Sequence, residues 1–154
     1  MTHKSYRFPL LILVIFLLSG VLAACAGEPT RSATPQAAAD LPMASLADMP
    51  QEVQDSPVSV QQAYQFNVAN PDVMTQIPCY CGCGSMGHTS NYDCYVADVA
   101  ADGAISYDTH ALGCSICVDI TLDTMRLLKQ GKTVAETKAD IDRTYAQYGP
   151  SNIP

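Results

Sequence analysis

The sequence has no tryptophan, and positive charge is scarce in it. Eight Lys and Arg stand against fifteen Asp and Glu in 154 residues, a formal net charge of -7. From residue 32 to residue 125 there is no Lys or Arg at all, while eleven acids fall in that stretch. With no basic surface to neutralise phosphates, nucleic acid is excluded as a partner. Histidine is equally sparse, at three. Neither H-E-x-x-H nor G-x-S-x-G occurs, and no motif assembles a catalytic triad, which argues against a hydrolase. Internal repeats are absent too. The charged fraction is only 15%, so the chain is no disordered polyelectrolyte. Its length fits one domain once any targeting segment is set aside.

What is present begins with seven cysteines, an odd number that a purely disulfide framework leaves incomplete. The N-terminus accounts for one. Lys4 and Arg7 form a short basic region, residues 10–18 are an apolar run, and Leu22-Ala23-Ala24-Cys25 ends in a cysteine after small residues. This is the pattern of a secretory signal peptide over residues 1–24, ending in what resembles a bacterial lipobox. Apolar length alone does not separate a cleaved signal from a membrane anchor; the cysteine at the cleavage point does. The expectation is lipidation at Cys25, with the rest of the chain held by its lipid at the extracytoplasmic face of the cell membrane. Residues 28–57 carry five of the ten prolines among Ala, Ser and Gln, and residues 25–56 are expected to form a disordered tether.

The remaining domain, residues 57–150, is expected to be mostly α: a small helical domain with an irregular Cys-rich loop and a C-terminal antiparallel helix hairpin. Fewer than 100 residues bury a modest core and often lean on disulfides or metal. Ser59 and Gln62 have capping-box spacing, and Val60, Ala63, Tyr64 and Val68 recur at helical spacing. Asn70-Pro71 stops that helix and starts a short turn through Met74. Cys114, Cys117, Val118, Thr121, Met125 and Leu128 share one helical face, with Gly131 as a natural stop. Thr133 and Glu136 form a second capping-box pair before Val134, Ile141, Tyr145 and Tyr148, again one face. Residues 95–107 fit either a hairpin turned at Asp102-Gly103 or a plain loop. Tyr64, Tyr80, Tyr92 and Tyr95 are expected to pack around the loop with their hydroxyls at the surface.

Six cysteines remain for this domain: Cys79, Cys81, Cys83, Cys94, Cys114 and Cys117. The alternating first three turn several sulfurs toward one centre, and Gly82, Gly84 and Gly87 give the loop unusual backbone freedom. Cys114 and Cys117 are neighbours on a helix first turn, where the helix N-terminus favours thiolate. A loop plus a helix turn is a common way to build a thiolate metal site. Six is also an even number in an oxidising compartment, so a disulfide-stapled interaction module is a rival reading. Three cysteines within five residues, however, are too crowded to find three separate partners of suitable geometry. Cys114 and Cys117 also have the spacing of a thiol–disulfide oxidoreductase, but no βαβ pattern surrounds them and no Lys or Arg is near.

Sulfur-rich sites select Zn(II), Cu(I) or iron–sulfur clusters. His88 in the loop, and His110 before Cys114, are candidate nitrogen donors; Met74 and Met86 are candidate thioethers that would favour Cu(I). The expected ligand pool is the six cysteines with His88 as auxiliary. The expected cofactor is a transition metal ion, copper or zinc. The expected role is metal handling or delivery, with a metal-donor or metal-acceptor protein as partner, rather than catalysis.

Pro78-Cys79-Tyr80-Cys81-Gly82-Cys83 resembles the signature of the bacterial PCYCGC-motif lipoprotein family. The resemblance runs from Ala63-Tyr64 through the loop with His88 and Cys94, then Gly113-Cys114 to Cys117 and the last helix pair. It implies an exported, lipid-anchored protein and an architecture, and no defined activity.

Overall fold

The computed structural model of the protein describes residues 40–153. The signal peptide, Cys25 and the tether as far as residue 39 lie outside the described residues. Within them are five α-helices: α1 (Gln51–Gln54), α2 (Val58–Ala69), α3 (Pro71–Met74), α4 (Ser115–Lys129) and α5 (Val134–Tyr145). Two short strands, β1 (Val96–Val99) and β2 (Ile105–Tyr107), form a small antiparallel sheet. The fold is mostly α, with α4 packed between α2 and α5. Among the described residues no helix is long and apolar enough to cross a membrane.

The structure corrects the tether at its end. Residues 40–56 belong to the fold: a 3-10 turn at Leu46–Asp48 leads into α1, and Met49 and Val53 are buried. Met49 and Val53 are four apart, so one turn of chain puts both on the same side. Ala44 exchanges bonds with Gln65 of α2, the Ala44 N–H donating to the Gln65 carbonyl at 3.0 Å and the Gln65 side chain to the Ala44 carbonyl at 2.9 Å. Here the prolines punctuate ordered turns.

Helix α2 starts two residues earlier than its sequence suggests. Pro57, with φ -54°, leads the chain directly into the helix, so Ser59 lies inside the first turn and makes no cap. The Ser59–Gln62 capping box does not form. At the far end the Asn70 side chain donates to the Phe66 carbonyl at 2.8 Å, and Pro71 begins α3.

The turn between α4 and α5 follows the sequence closely. Gly131 takes φ +83°, and the Gly131 and Lys132 N–H groups donate to the Leu128 and Leu127 carbonyls, satisfying the end of α4. Thr133 and Glu136 then make a full capping box for α5. α5 packs on α4, with the Tyr145 hydroxyl 2.9 Å from Asp123 Oδ2. Met125 lies in the core, as expected, whereas Tyr148 is exposed.

Of the two readings for residues 95–107, the hairpin is the one formed. Gly103 takes φ +87°, and the Ala100 N–H donates to the Ala104 carbonyl at 2.9 Å. The hairpin has a positional consequence. The Asp108 N–H donates to the Tyr95 carbonyl at 3.0 Å, which returns Asp108 and His110 to the side of Cys94.

Candidate metal centre

Five segments carry the cysteines and His110 to one place. Cys79 follows Ile77 and Pro78 out of α3 and is fully buried. Gly82 takes φ +86°, a left-handed conformation that a side chain would strain, and turns the chain into a 3-10 turn at Cys83–Met86. Cys94 ends the 3-10 turn Tyr92–Cys94. The loop between them is held by Asp93, whose Oδ2 accepts from the Thr89 N–H, the Thr89 hydroxyl and the Ser90 N–H. His110 opens the 3-10 turn His110–Leu112, its N–H donating to Asp108 Oδ1 at 2.7 Å. Cys114 is the N-cap of α4, just outside the helix, and Cys117 lies in its first turn.

The sulfurs converge. Cys79 Sγ lies 3.4 Å from Cys81 Sγ and 3.5 Å from Cys117 Sγ, and Cys81 Sγ lies 3.6 Å from Cys117 Sγ. Cys83 and Cys94 are 3.6 Å apart, and His110 Nε2 is 3.4 Å from Cys81 Sγ. All six cysteines are free thiols. These separations exceed a disulfide bond of about 2.05 Å by more than an ångström. They approach the edge of a tetrahedron with metal–sulfur bonds of about 2.3 Å, which is about 3.8 Å.

Four overlapping sets of donors lie within 4.8 Å of one another: Cys81, His110, Cys114 and Cys117; Cys79, Cys94 and Cys117; Cys79, Cys81 and Cys83; and Cys83, Cys94 and His110. Each could hold a metal ion. All six predicted cysteines are therefore brought together. The nitrogen among them is that of His110. His88, the auxiliary expected from the sequence, is outside all four sets. Its Nε2 faces Asp108 Oδ2 at 3.5 Å, and its ring meets the His110 ring edge-on at 5.4 Å. Met74 is buried in the core and Met86 is exposed.

Cys79 is the natural anion of the cluster. Hydrogen bonds from Cys117, then Cys94, hold its thiol down to about 2. Cys117 is pushed up because it donates to Cys79 and Cys94 in a buried place. At Cys94 the hydrogen bond with Cys117 favours the thiolate, but donation to Cys79 and burial outweigh it. Burial, then the neighbouring Cys79 thiolate, raises Cys81 and Cys83 as well. Among the described residues Arg126, Lys132, Lys138 and Arg143 each pair with an aspartate on α4 or α5. A cation entering the cluster would meet one thiolate and several thiols whose protons it would have to displace.

A family model described as a protein of unknown function with PCYCGC motif matches residues 12–154. The chain belongs to this PCYCGC family. The comparisons with curated proteins and with solved structures return no match. In this member of the PCYCGC family the motif is secured from outside itself. The Tyr80 hydroxyl donates to Asp142 Oδ1 of α5 at 2.6 Å. Asn152 accepts from the Cys79 N–H at 2.6 Å and donates to the Ser90 and His88 carbonyls at 3.0 and 3.2 Å. Gly149 passes so close that a Cβ there would lie 2.8 Å from the Tyr80 carbonyl oxygen.

Sequence reasoning did not find Asn152, which lies past the expected domain end, nor the support behind Cys117. There the Thr121 hydroxyl lies 2.8 Å from Asn91 Oδ1, 2.9 Å from the Tyr95 hydroxyl and 3.1 Å from Asn67 Nδ2. The expected surface hydroxyls of Tyr64 and Tyr95 are thus corrected. Both residues are fully buried, and Tyr64 donates to the Asp108 carbonyl at 2.8 Å. Burial without charge requires such internal partners.

Proposed function

We propose that this PCYCGC protein is a lipid-anchored, extracytoplasmic metal-handling protein that binds Cu(I) or Zn(II) through its clustered cysteines and passes the metal to a partner protein. The observation that carries the reading is the convergence of Cys79, Cys81, Cys83, Cys94, Cys114 and Cys117 with His110 as free donors in overlapping sets. The ligand softness favours Cu(I) and Zn(II) over Mg(II) or Ca(II). All six of these cysteines lie in a stretch of nearly a hundred residues with acids and no Lys or Arg. Support for the anchor is the Leu22-Ala23-Ala24-Cys25 pattern after an apolar run.

The test is to purify the full chain anaerobically and to measure bound copper, bound zinc and free thiols together, with and without each added ion. Bound metal with thiols protected from alkylation is the expected result. Three disulfides and no metal would overturn the reading. Fatty-acid labelling that is lost in Cys25→Ser tests the anchor separately.

A further inference from the structure

We infer that the cluster is a two-ion centre with one shared thiolate, in which a buried inner ion is retained and an outer ion is exchanged. This rests on the metal-binding reading above and specifies its stoichiometry and the ion that moves. Two tetrahedral ions require eight coordination positions. The six cysteines and His110 supply seven donors, so sharing one sulfur completes both ions.

The geometry names the shared residue. Cys117 belongs both to the four-donor set with Cys81, His110 and Cys114 and to the three-donor set with Cys79 and Cys94. Its sulfur stands between the two, 3.6 Å from Cys81 and 3.5 Å from Cys79. Cys83 completes the inner set, 3.6 Å from Cys94 and in one group with Cys79. Two divalent ions would take up four of the six thiolate charges, which lie in a stretch of sequence that holds no Lys or Arg.

Burial separates the two ions. Cys79, Cys94 and Cys117 are fully buried and Cys83 is 2% exposed. Cys81, His110 and Cys114 are each partly exposed. A groove of about 300 Å³ lined by Val60, Leu112, Gly113, Cys114, Ser115 and Val118 opens beside Cys114. An acceptor thiol approaching there reaches the outer ion without any unfolding. Reaching the inner ion requires the loop and α4 to part.

Zn(II) is the probe. The reduced full chain is titrated anaerobically, its stoichiometry is read by native mass spectrometry, and the saturated protein is mixed with excess chelator. Two zinc ions per chain are expected, one leaving at least about tenfold faster because only the other needs a local opening. Cys114→Ser and, as a milder second variant, His110→Gln should lose the fast ion and keep the slow one, with the fold followed by circular dichroism. Cys94→Ser should abolish the slow phase. One zinc ion per chain, three or more, two ions leaving at one rate, or loss of both ions in both outer-set variants would each overturn the two-ion centre. So would a failure to bind Zn(II); the Cu(I) and thiol counts of the preceding experiment would then decide the metal-binding reading on its own.

Discussion

Replacing Thr121 by valine removes one oxygen and little else, yet the structure makes that oxygen expensive to lose. It stands at the junction of α2, the Cys loop, the strand entry at Tyr95 and α4, within 3.1 Å of Asn91, Tyr95 and Asn67 and 3.2 Å from the Cys117 carbonyl. Asn67 keeps its bond to the Ala63 carbonyl in the variant. The Tyr95 hydroxyl and Asn91 Oδ1 keep no hydrogen-bond partner among the described residues, and both residues are fully buried. At about 1–3 kcal/mol for each buried group left unpaired, the expected destabilisation is about 3 kcal/mol. Out of a total stability on the order of 5–15 kcal/mol, that is a large share. In urea, with a slope of about 1.5 kcal/mol per molar, the midpoint should fall by about 2 M. Thr137 provides the control. It is equally buried, but its hydroxyl has no partner among the described residues. Thr137→Val removes a desolvated group that gains nothing from folding, so it should be neutral or stabilise by up to about 1 kcal/mol. Equal midpoint shifts for the two variants, or a Thr121→Val shift below about 0.3 M, would refute the reasoning.

Asn152→Ala should release the Cys loop, costing about 2–4 kcal/mol through its lost bonds and raising the alkylation rate of Cys79 and Cys83 in the metal-free protein; unchanged alkylation would count against the clamp. Gly149→Ala should lower thermal stability by about 1–3 kcal/mol because its methyl meets the Tyr80 carbonyl at 2.8 Å, whereas Gly84→Ala, whose nearest neighbour would be 3.4 Å away, should melt close to the parent. Thr133→Ala removes the α5 capping box and should cost about 1 kcal/mol in denaturant unfolding while leaving the number of bound zinc ions unchanged.

Features set by near neighbours in the chain were legible in the sequence. Thr133 and Glu136 spell a capping box because a cap is decided within one helical turn. Gly131 announces the end of α4 because only a left-handed residue closes that helix in this way. The six cysteines could be assigned to one constellation from their crowding alone. Features set by distant segments were not legible. Ser59 and Gln62 have the spacing of a cap, but Pro57 starts the helix before they can use it. Proline content made residues 40–56 look unstructured, although Met49 and Val53 had a core to join. The choice between His88 and His110 depended on the hairpin, which brings Asp108 back to Tyr95 and sets His110 against Cys81. Asn152 lies 73 residues from Cys79, and nothing around it in the chain indicates that its side chain closes on the motif.

That last contact bears on the order of events when the protein is made. Synthesis runs from the amino end, so every proposed donor exists before Asn152 does. A chain in which Asn152 has not yet docked holds all the sulfurs but lacks the contact that joins the Cys79 side of the loop to the Ser90 side. An ion arriving early meets a loose set of thiols that compete for it in several arrangements. An ion arriving after Asn152 has closed meets a single one. On the metal-binding reading proposed above, Asn152 thus selects one arrangement among those the sulfurs alone leave open.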